Sequence, residues 1–356
     1  MNKKENRLIL LFSALDWGLG HTTRSIPLLR NFVVQGYEIF IACEQNSASE
    51  KILKHEFAQA NFLALKGYHI AYAKKSKLFV WKIVQQIPKI IAAIKNERQQ
   101  VAKWCEQYHF DLIVSDNRYG FFNEKIKSVF ITHQLQIAAP SSFLEKIIQR
   151  LNYHYINRFS ECWIPDFEGD NNIAGRLSHP KNMPDIAVKY IGALSRLKKI
   201  SAEKKYDVLI LLSGPEPQRT VLENRFLQIK NQFKEKVLLV RGLPNDESNI
   251  ASTENFSIKN YYDADALSEA IAQSEWVVCR SGYSTVMDLF YLEKKAIFIP
   301  TPGQTEQQYL AEILMGKGFS YAFEQNDKDY YAKIQHAKNF GYKKFNAIIE
   351  LETITG

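Results

Sequence analysis

Short apolar runs alternate along the chain with longer stretches in which apolar and polar positions mix. Arg7–Ala14 is a run of strand length, followed by the turn Asp16-Trp17-Gly18-Leu19-Gly20 and a helical pattern over Thr22–Gln35 that Gly36 ends. Tyr37–Ala42, Asp111–Ser115 and Val129–Thr132 are further runs of β type. Strands that are apolar throughout and separated by helices predict a parallel sheet covered on both faces. The pattern restarts at Tyr206–Leu212, with later strands at Val237–Val240, Trp276–Cys279 and Ala296–Ile299. Helices are expected from Ser213-Gly214-Pro215 to about Phe233, over Leu267–Gln273 and over Ser284–Leu292. The segment His179–Lys205, rich in Pro, Gly, Lys and Ser, lies between the halves, and the linker is placed near Gly192–Lys204. The fold class is α/β, with two Rossmann-like parallel-sheet domains, 1–195 and 205–339, facing a cleft. A chain of 356 residues suits two such domains.

Composition narrows the class further. At 46% hydrophobic and 24% charged residues, the chain is neither disordered nor a small disulfide scaffold. The apolar run near the N-terminus is short and is followed by Asp16-Trp17, so it reads as a buried strand rather than a signal segment. No apolar run approaches the ~18 residues a spanning helix needs. Cys43, Cys105, Cys162 and Cys279 are scattered and fit reduced thiols in a cytoplasmic protein. The net charge of +8 favours anionic partners. It is concentrated between Lys66 and Lys103, where nine basic residues meet one acid, Glu97. Apolar residues interleave with these cations, as in a helix lying on an anionic membrane; a helix packed on the sheet with solvated lysines is the other reading. Nothing in the zinc spacing or the aromatic pattern supports nucleic-acid binding.

In open parallel sheets ligands bind beyond the carboxyl ends of the strands, so the turns after the strands carry the candidate chemistry. In the first turn Gly18 and Gly20 allow close backbone approach, and His21 at the helix start could take a proton from an attacking hydroxyl. A histidine that only caps the helix is the alternative. The spacing lacks the third glycine of a dinucleotide fingerprint. Asp116, ending a strand, is a second candidate base. After Tyr206–Leu212, Ser213 and Gly214 suit a phosphate at a helix N-terminus, with Arg219 adding a charged contact; a plain strand-to-helix turn is equally compatible. In Cys279–Asp288, the turn Arg280-Ser281-Gly282 and the hydroxyls of Ser281, Ser284 and Thr285 suit a diphosphate. Asp288, one helical turn on, suits the two hydroxyls of a ribose or else is a solvated helix carboxylate. Gln304, Gln307 and Gln308 can donate and accept to sugar hydroxyls, or simply form a polar helix start.

Together these turns resemble the GT-B glycosyltransferases, specifically glycosyltransferase family 28 and its MurG-like members, most clearly over residues 205–320. Arg280-Ser281-Gly282, Thr285 and Asp288 match the family's phosphate and ribose contacts, with Asp where the family usually carries Glu. Pro300 with Gln307-Gln308 matches the loop that holds the donor sugar. Ser213-Gly214 matches too, although Pro215 and Pro217 depart from a Gly-rich loop. Gly18–Arg24 is similar to the family's Gly-Gly-His turn, shorter than in MurG, so a relative of MurG is expected rather than MurG itself. Thr132-His133-Gln134 resembles a His-Glu-Gln segment near the acceptor.

The resemblance implies a glycosyltransferase moving a sugar from a UDP-sugar, with an N-acetylhexosamine as one candidate, to a glycan or lipid-linked acceptor in cell-surface polysaccharide or glycolipid synthesis. It implies inversion, no metal, and no cofactor beyond the UDP-sugar co-substrate. It also implies a cytoplasmic enzyme peripheral to the membrane, contacting it through Lys66–Lys103, and a segment 340–356 that crosses back to the first domain. A UDP-sugar hydrolase or epimerase on the same fold, or a non-catalytic anion or nucleic-acid binder, are the competing readings.

Overall fold

The computed structural model describes residues 7–16, 19–68, 79–137 and 142–345, which divide between Leu194 and Ser195 into two compact units. In the first unit seven strands form one parallel sheet: β1 (Ile9–Ala14), β2 (Glu38–Cys43), β3 (Asn61–Ala64), β4 (Leu112–Asp116), β5 (Ser128–Ile131), β6 (Glu161–Ile164) and β7 (Ala187–Tyr190). Their order is β3-β2-β1-β4-β5-β6-β7. The helices are α1 (Leu19–Val34), α2 (Ala48–Glu56), α3 (Phe79–Gln107) and α4 (Ser142–Ile156). Leu10, Leu11 and Phe12 of β1 are fully buried, as a central strand covered on both faces requires.

The second unit repeats the design with six parallel strands: β8 (Tyr206–Leu211), β9 (Val237–Val240), β10 (Phe256–Lys259), β11 (Ser274–Cys279), β12 (Lys295–Phe298) and β13 (Ser320–Ala322), in the order β10-β9-β8-β11-β12-β13. The helices are α5 (Gln218–Ile229), α6 (Ala264–Ala272), α7 (Tyr283–Tyr291), α8 (Thr305–Gly316) and α9 (Tyr330–Lys338). One core side chain set, including Val208, Phe226, Leu239, Val278 and Ile297, fills the space between β8–β12 and their helices.

Each sheet is doubly wound. The chain runs outward from β1 through β2 to β3, then returns to place β4 on β1's other side; β8 to β11 do the same. The crevice at such a reversal is where ligands of these folds bind. His21 and Asp116 follow and end the two switch strands of the first sheet, and Ser213 and Arg280 follow those of the second.

Several expectations need adjusting. Helix α1 starts at Leu19, so Gly20 lies inside its first turn rather than in the loop, while Gly18 is outside the described residues. Residues 340–345 pack on the second unit, with the Lys343 amide bonded to the Gly318 carbonyl at 2.9 Å and Phe345 edge-on to Phe290 and Phe319. Residues 346–356 lie outside the description. Of the Lys66–Lys103 stretch, residues 69–78 and the side chains of 79–85 are likewise outside it. Glu97, its one acid, is buried beside Arg118 rather than solvated among the lysines. No helix among the described residues is long and apolar enough to cross a membrane.

Candidate active site

In the first unit, five side chains (His21, Arg24, Ser25, Asp116 and His133) converge at the carboxyl ends of β1, β4 and β5. Asp116 is fully buried. Its Oδ1 accepts from His21 Nδ1 at 2.9 Å and from an Arg24 Nη; its Oδ2 accepts from Arg24 Nε at 2.8 Å and from Ser25 Oγ at 3.2 Å. His21, Arg24 and Ser25 can share one carboxylate because positions three and four apart lie on one helix face. The other Arg24 Nη donates to His133 Nδ1 at 3.1 Å.

This packing sets the charge states. Burial alone would raise the Asp116 carboxyl, but Arg24 and His21 outweigh it and hold the group well below the usual carboxylate range. Burial, then the Arg24 charge, lower the His21 pKa, against the opposing pull of Asp116. At neutral pH Asp116 is therefore ionised and His21 uncharged. An ionised carboxylate only accepts, so His21 carries its proton on Nδ1 and presents a bare Nε2.

The two sequence candidates for the base are thus not alternatives. All of Asp116's contacts are internal, and the residue is inaccessible; it orients the histidine. Arg24 was part of the turn quoted from the sequence but had no role there. Its spacing from His21 was the available signal, and the β4 carboxylate that completes the cluster lies 92 positions away.

In the second unit, helices that open beyond the sheet's carboxyl edge fall into two kinds. Asp263 caps α6 and Asp329 caps α9 with side-chain oxygens. The residues before α5, α7 and α8 (Pro217, Gly282 and Gln304) provide no side-chain cap. The first-turn amides of these three helices therefore depend on other acceptors. Ser284 and Thr285 sit half-buried in the first turn of α7. Asp288 follows on the same face, and its Oδ1 accepts from Ser195 Oγ at 2.5 Å. Burial raises the Asp288 pKa to about 7, with the Ser195 bond and Arg196 opposing.

The other predicted donor-side residues are placed as follows. Ser213 and Gly214 are exposed, and Gly214 has φ +101°, which favours glycine. They are separated from α5 by Pro215–Pro217, so they do not form its N-terminus. Arg219 is buried and committed to Glu216 at 2.6 Å, Glu223 at 2.9 Å and Thr220 Oγ1 at 2.6 Å; a phosphate contact would require breaking that cluster. Arg280 is also buried, bonding the Ile299, Pro300 and Gln218 carbonyls at 3.0, 3.2 and 2.9 Å and the Gln325 side chain. Burial lowers its pKa to about 10, which leaves it charged. It ties together the loops around the switch point, and Gln325 was not visible as a partner from sequence. Ser281 Oγ donates to the Gln307 carbonyl at 2.7 Å, and the Gln307 amide spans Thr301 N and Gln304 Oε1. Gln307 therefore shapes the loop, while Gln308 makes no side-chain hydrogen bond among the described residues.

Residues 216–339 match the glycosyltransferase family 28 C-terminal domain. The chain is 25% identical over 326 residues to the UDP-N-acetylglucosamine–N-acetylmuramyl-(pentapeptide) pyrophosphoryl-undecaprenol N-acetylglucosamine transferase of Actinobacillus pleuropneumoniae serotype 5b (strain L20), covering 86% of this chain and 83% of that protein. The corresponding Histophilus somni (strain 129Pt) transferase is 32% identical over 130 residues, 36% of each chain. Among solved structures, Acinetobacter baumannii MurG superimposes with a TM-score of 0.59 at 13% identity, covering 94% of this chain and 90% of that one. The spinosyn rhamnosyltransferase SpnG gives 0.66 at 12% identity, covering 93% and 92%. Residues 216–339 thus match the family's C-terminal domain, the chain has the fold of solved GT-B glycosyltransferases, and over 86% of its length it is similar in sequence to a MurG-type transferase.

Proposed function

We propose that the chain transfers a sugar from a UDP-sugar, with a UDP-N-acetylhexosamine as the first candidate, to a hydroxyl of a glycan or lipid-linked acceptor, with inversion and without a metal ion. The observation that carries this reading is the His21–Asp116 pair, with a bare Nε2 where a deprotonating base is needed. His21 Nε2 takes the proton as the acceptor oxygen attacks the anomeric carbon, and Asp116 stabilises the imidazolium that forms. The departing UDP is held by first-turn amides of α7 and α8 and by the Ser284 and Thr285 hydroxyls, while Asp288 accepts from the ribose. Ser195 then exchanges its place on Asp288 for a ribose hydroxyl. Gln304 and Gln308 face the sugar, with Gln307 fixing their loop.

The activity of the relatives supports N-acetylglucosamine as the sugar and a polyprenyl pyrophosphoryl glycolipid as the acceptor. The product then belongs to cell-surface polysaccharide or glycolipid synthesis. The enzyme works at the cytoplasmic face of the membrane, touching anionic lipid through exposed apolar and basic side chains.

A thermal-shift panel tests the donor: UDP and UDP-sugars should raise Tm by binding linkage, and ADP and GDP should not. Release of UDP from the stabilising donor is then followed with membrane glycolipid as acceptor, with and without EDTA. His21→Gln should keep the donor's thermal shift while losing about 10²–10⁴-fold in turnover. Equal UDP release without any acceptor would make the protein a hydrolase, and full loss in EDTA would overturn the metal-free scheme.

A further inference from the structure

Beyond the switch strands β8 and β11 of the second unit, one arginine dictates how two glutamine side chains are turned. Arg280, which follows β11 and is 2% exposed, donates to the Gln325 side-chain oxygen. A guanidinium has donors only, so the Gln325 amide must direct its oxygen to Arg280 and its NH₂ elsewhere. That NH₂ donates to Gln218 Oε1 at 2.9 Å. Gln325 is 3% exposed, and Tyr330 Oη holds its backbone carbonyl at 2.6 Å. Gln218, the first residue of α5, therefore has its side-chain oxygen engaged by Gln325. Its own NH₂ makes no hydrogen bond among the described residues. The Gln218 backbone is fixed too, because its carbonyl accepts from Arg280 at 2.9 Å. This half-buried amide thus stands beside the turn Arg280-Ser281-Gly282 that opens α7, with only donors to offer.

We infer that Gln218 is a binding residue whose NH₂ donates to a diphosphate oxygen of the donor, and that Gln325 and Arg280 are positioning residues that fix its polarity. The inference rests on the reading of this crevice as the UDP-sugar site, and it adds a contact to that site. A glutamine free to rotate presents either its oxygen or its nitrogen, and an anionic oxygen accepts only from the nitrogen. The relay from Arg280 through Gln325 removes the choice. Arg280 itself is bonded to the Ile299, Pro300 and Gln218 carbonyls and to Gln325, so it acts on the phosphate through Gln218 instead of touching it.

The test is calorimetric titration of the full chain with UDP, with Tm recorded for each variant. Gln218→Glu keeps an oxygen for Gln325 but turns a second, charged oxygen outward, and UDP affinity should fall at least about tenfold. Gln218→Met should lose less, about fivefold, because it removes the donor without adding a charge. Gln325→Glu still accepts from Arg280 but sets its other oxygen against Gln218, whose amide must then turn over. UDP affinity should again fall about tenfold, although residue 325 is buried away from the ligand. In a Gln218→Met background there is no amide to turn, so adding Gln325→Glu should change UDP affinity less than about twofold. A merely structural role for Gln325 would persist in that background. UDP affinity unchanged in both Gln218 variants, or a Gln325→Glu loss that survives beside Gln218→Met, would overturn the inference. The two Gln218 variants remain decisive even if Gln325→Glu fails to fold. A wild type that does not bind UDP at all would instead overturn the reading of the crevice on which the inference rests.

Discussion

Asp288 costs the free protein stability that a bound ribose would recover. Its pKa, raised by burial to about 7, lies well above the ~3.9 of an exposed aspartate. Between those two values the folded state keeps a proton that the unfolded chain has lost, so stability falls as pH rises from about 4 to about 7. Asp288→Asn should therefore leave Tm unchanged at pH 4 and raise it by about 3 °C at pH 8, where the wild type must bury a charge. The same variant should lose about tenfold in UDP affinity, one charged hydrogen bond's worth. Wild-type UDP affinity should itself rise from pH 6 to pH 8, since the ionised carboxylate is the better acceptor. Calorimetry at pH 4, 6 and 8 checks all three, and a Tm difference that ignores pH would refute the account. Sequence placed Asp288 one turn past a strand-to-helix hydroxyl cluster, but its burial and its bond to Ser195 were not legible there. The arginines were less legible still. Sequence cannot distinguish a guanidinium aimed at a ligand from one consumed by carbonyls, as Arg280 is, or by carboxylates, as Arg219 is.

At the scale of elements, the turn that carries Asp116 is held from outside by α3. Glu97 accepts from Arg118 Nε, from Tyr68 Oη at 2.6 Å and from the Gly120 amide at 3.1 Å. Arg118 in turn reaches the Lys66 carbonyl at 2.8 Å, and Ser115 Oγ bonds the Arg118 carbonyl at 2.7 Å. Helix and turn come so close that a Cβ on Gly120 would lie 2.2 Å from the Ile94 carbonyl oxygen. That neighbour is backbone and cannot rotate away. Gly120→Ala should cost about 1–3 kcal/mol, read as a lower urea midpoint with unchanged slope; an unchanged midpoint would mean the helix shifts freely. Sequence supplied β1, β2, β4, β5, β8, β9, β11 and β12 because their apolar runs are unbroken, but it missed interior β6, whose buried run Cys162–Ile164 is only three residues long. Nor did it supply the edge strands β3, β7, β10 and β13, most of whose residues are only partly buried or exposed. Nor could it supply Glu97's role, since the acid looks like one more charge in a basic stretch until its partner, 21 positions on, folds over it.

At the scale of the whole molecule, the surplus of +8 needs a surface on which to act. Sequence pointed to Lys66–Lys103, but the first unit also displays such a face on α4. Phe143, Ile147 and Leu151 recur every fourth position and are 73%, 50% and 51% exposed. Lys146 and Arg150 stand between them, exposed and without a carboxylate partner among the described residues. A helix of a water-soluble domain normally buries its apolar stripe; here the buried side is carried by Asn152 and Ile156 instead. Three apolar side chains entering the interface, with about 1 kcal/mol from each nearby cation, suffice for reversible attachment to anionic lipid. The protein should therefore float with vesicles containing phosphatidylserine at low salt, float poorly with pure phosphatidylcholine, and be released as salt shortens the Debye length. Replacing Phe143, Ile147 and Leu151 together by Ser should weaken flotation at least about tenfold while the protein stays folded, because half or more of each residue faces solvent. Replacing only Lys146 and Arg150 by Gln should remove the lipid-charge preference and leave a weaker, salt-independent attachment. Flotation unaffected by either set would move the contact back to the Lys66–Lys103 region; no flotation of the wild type would remove the membrane from the enzyme's surroundings altogether.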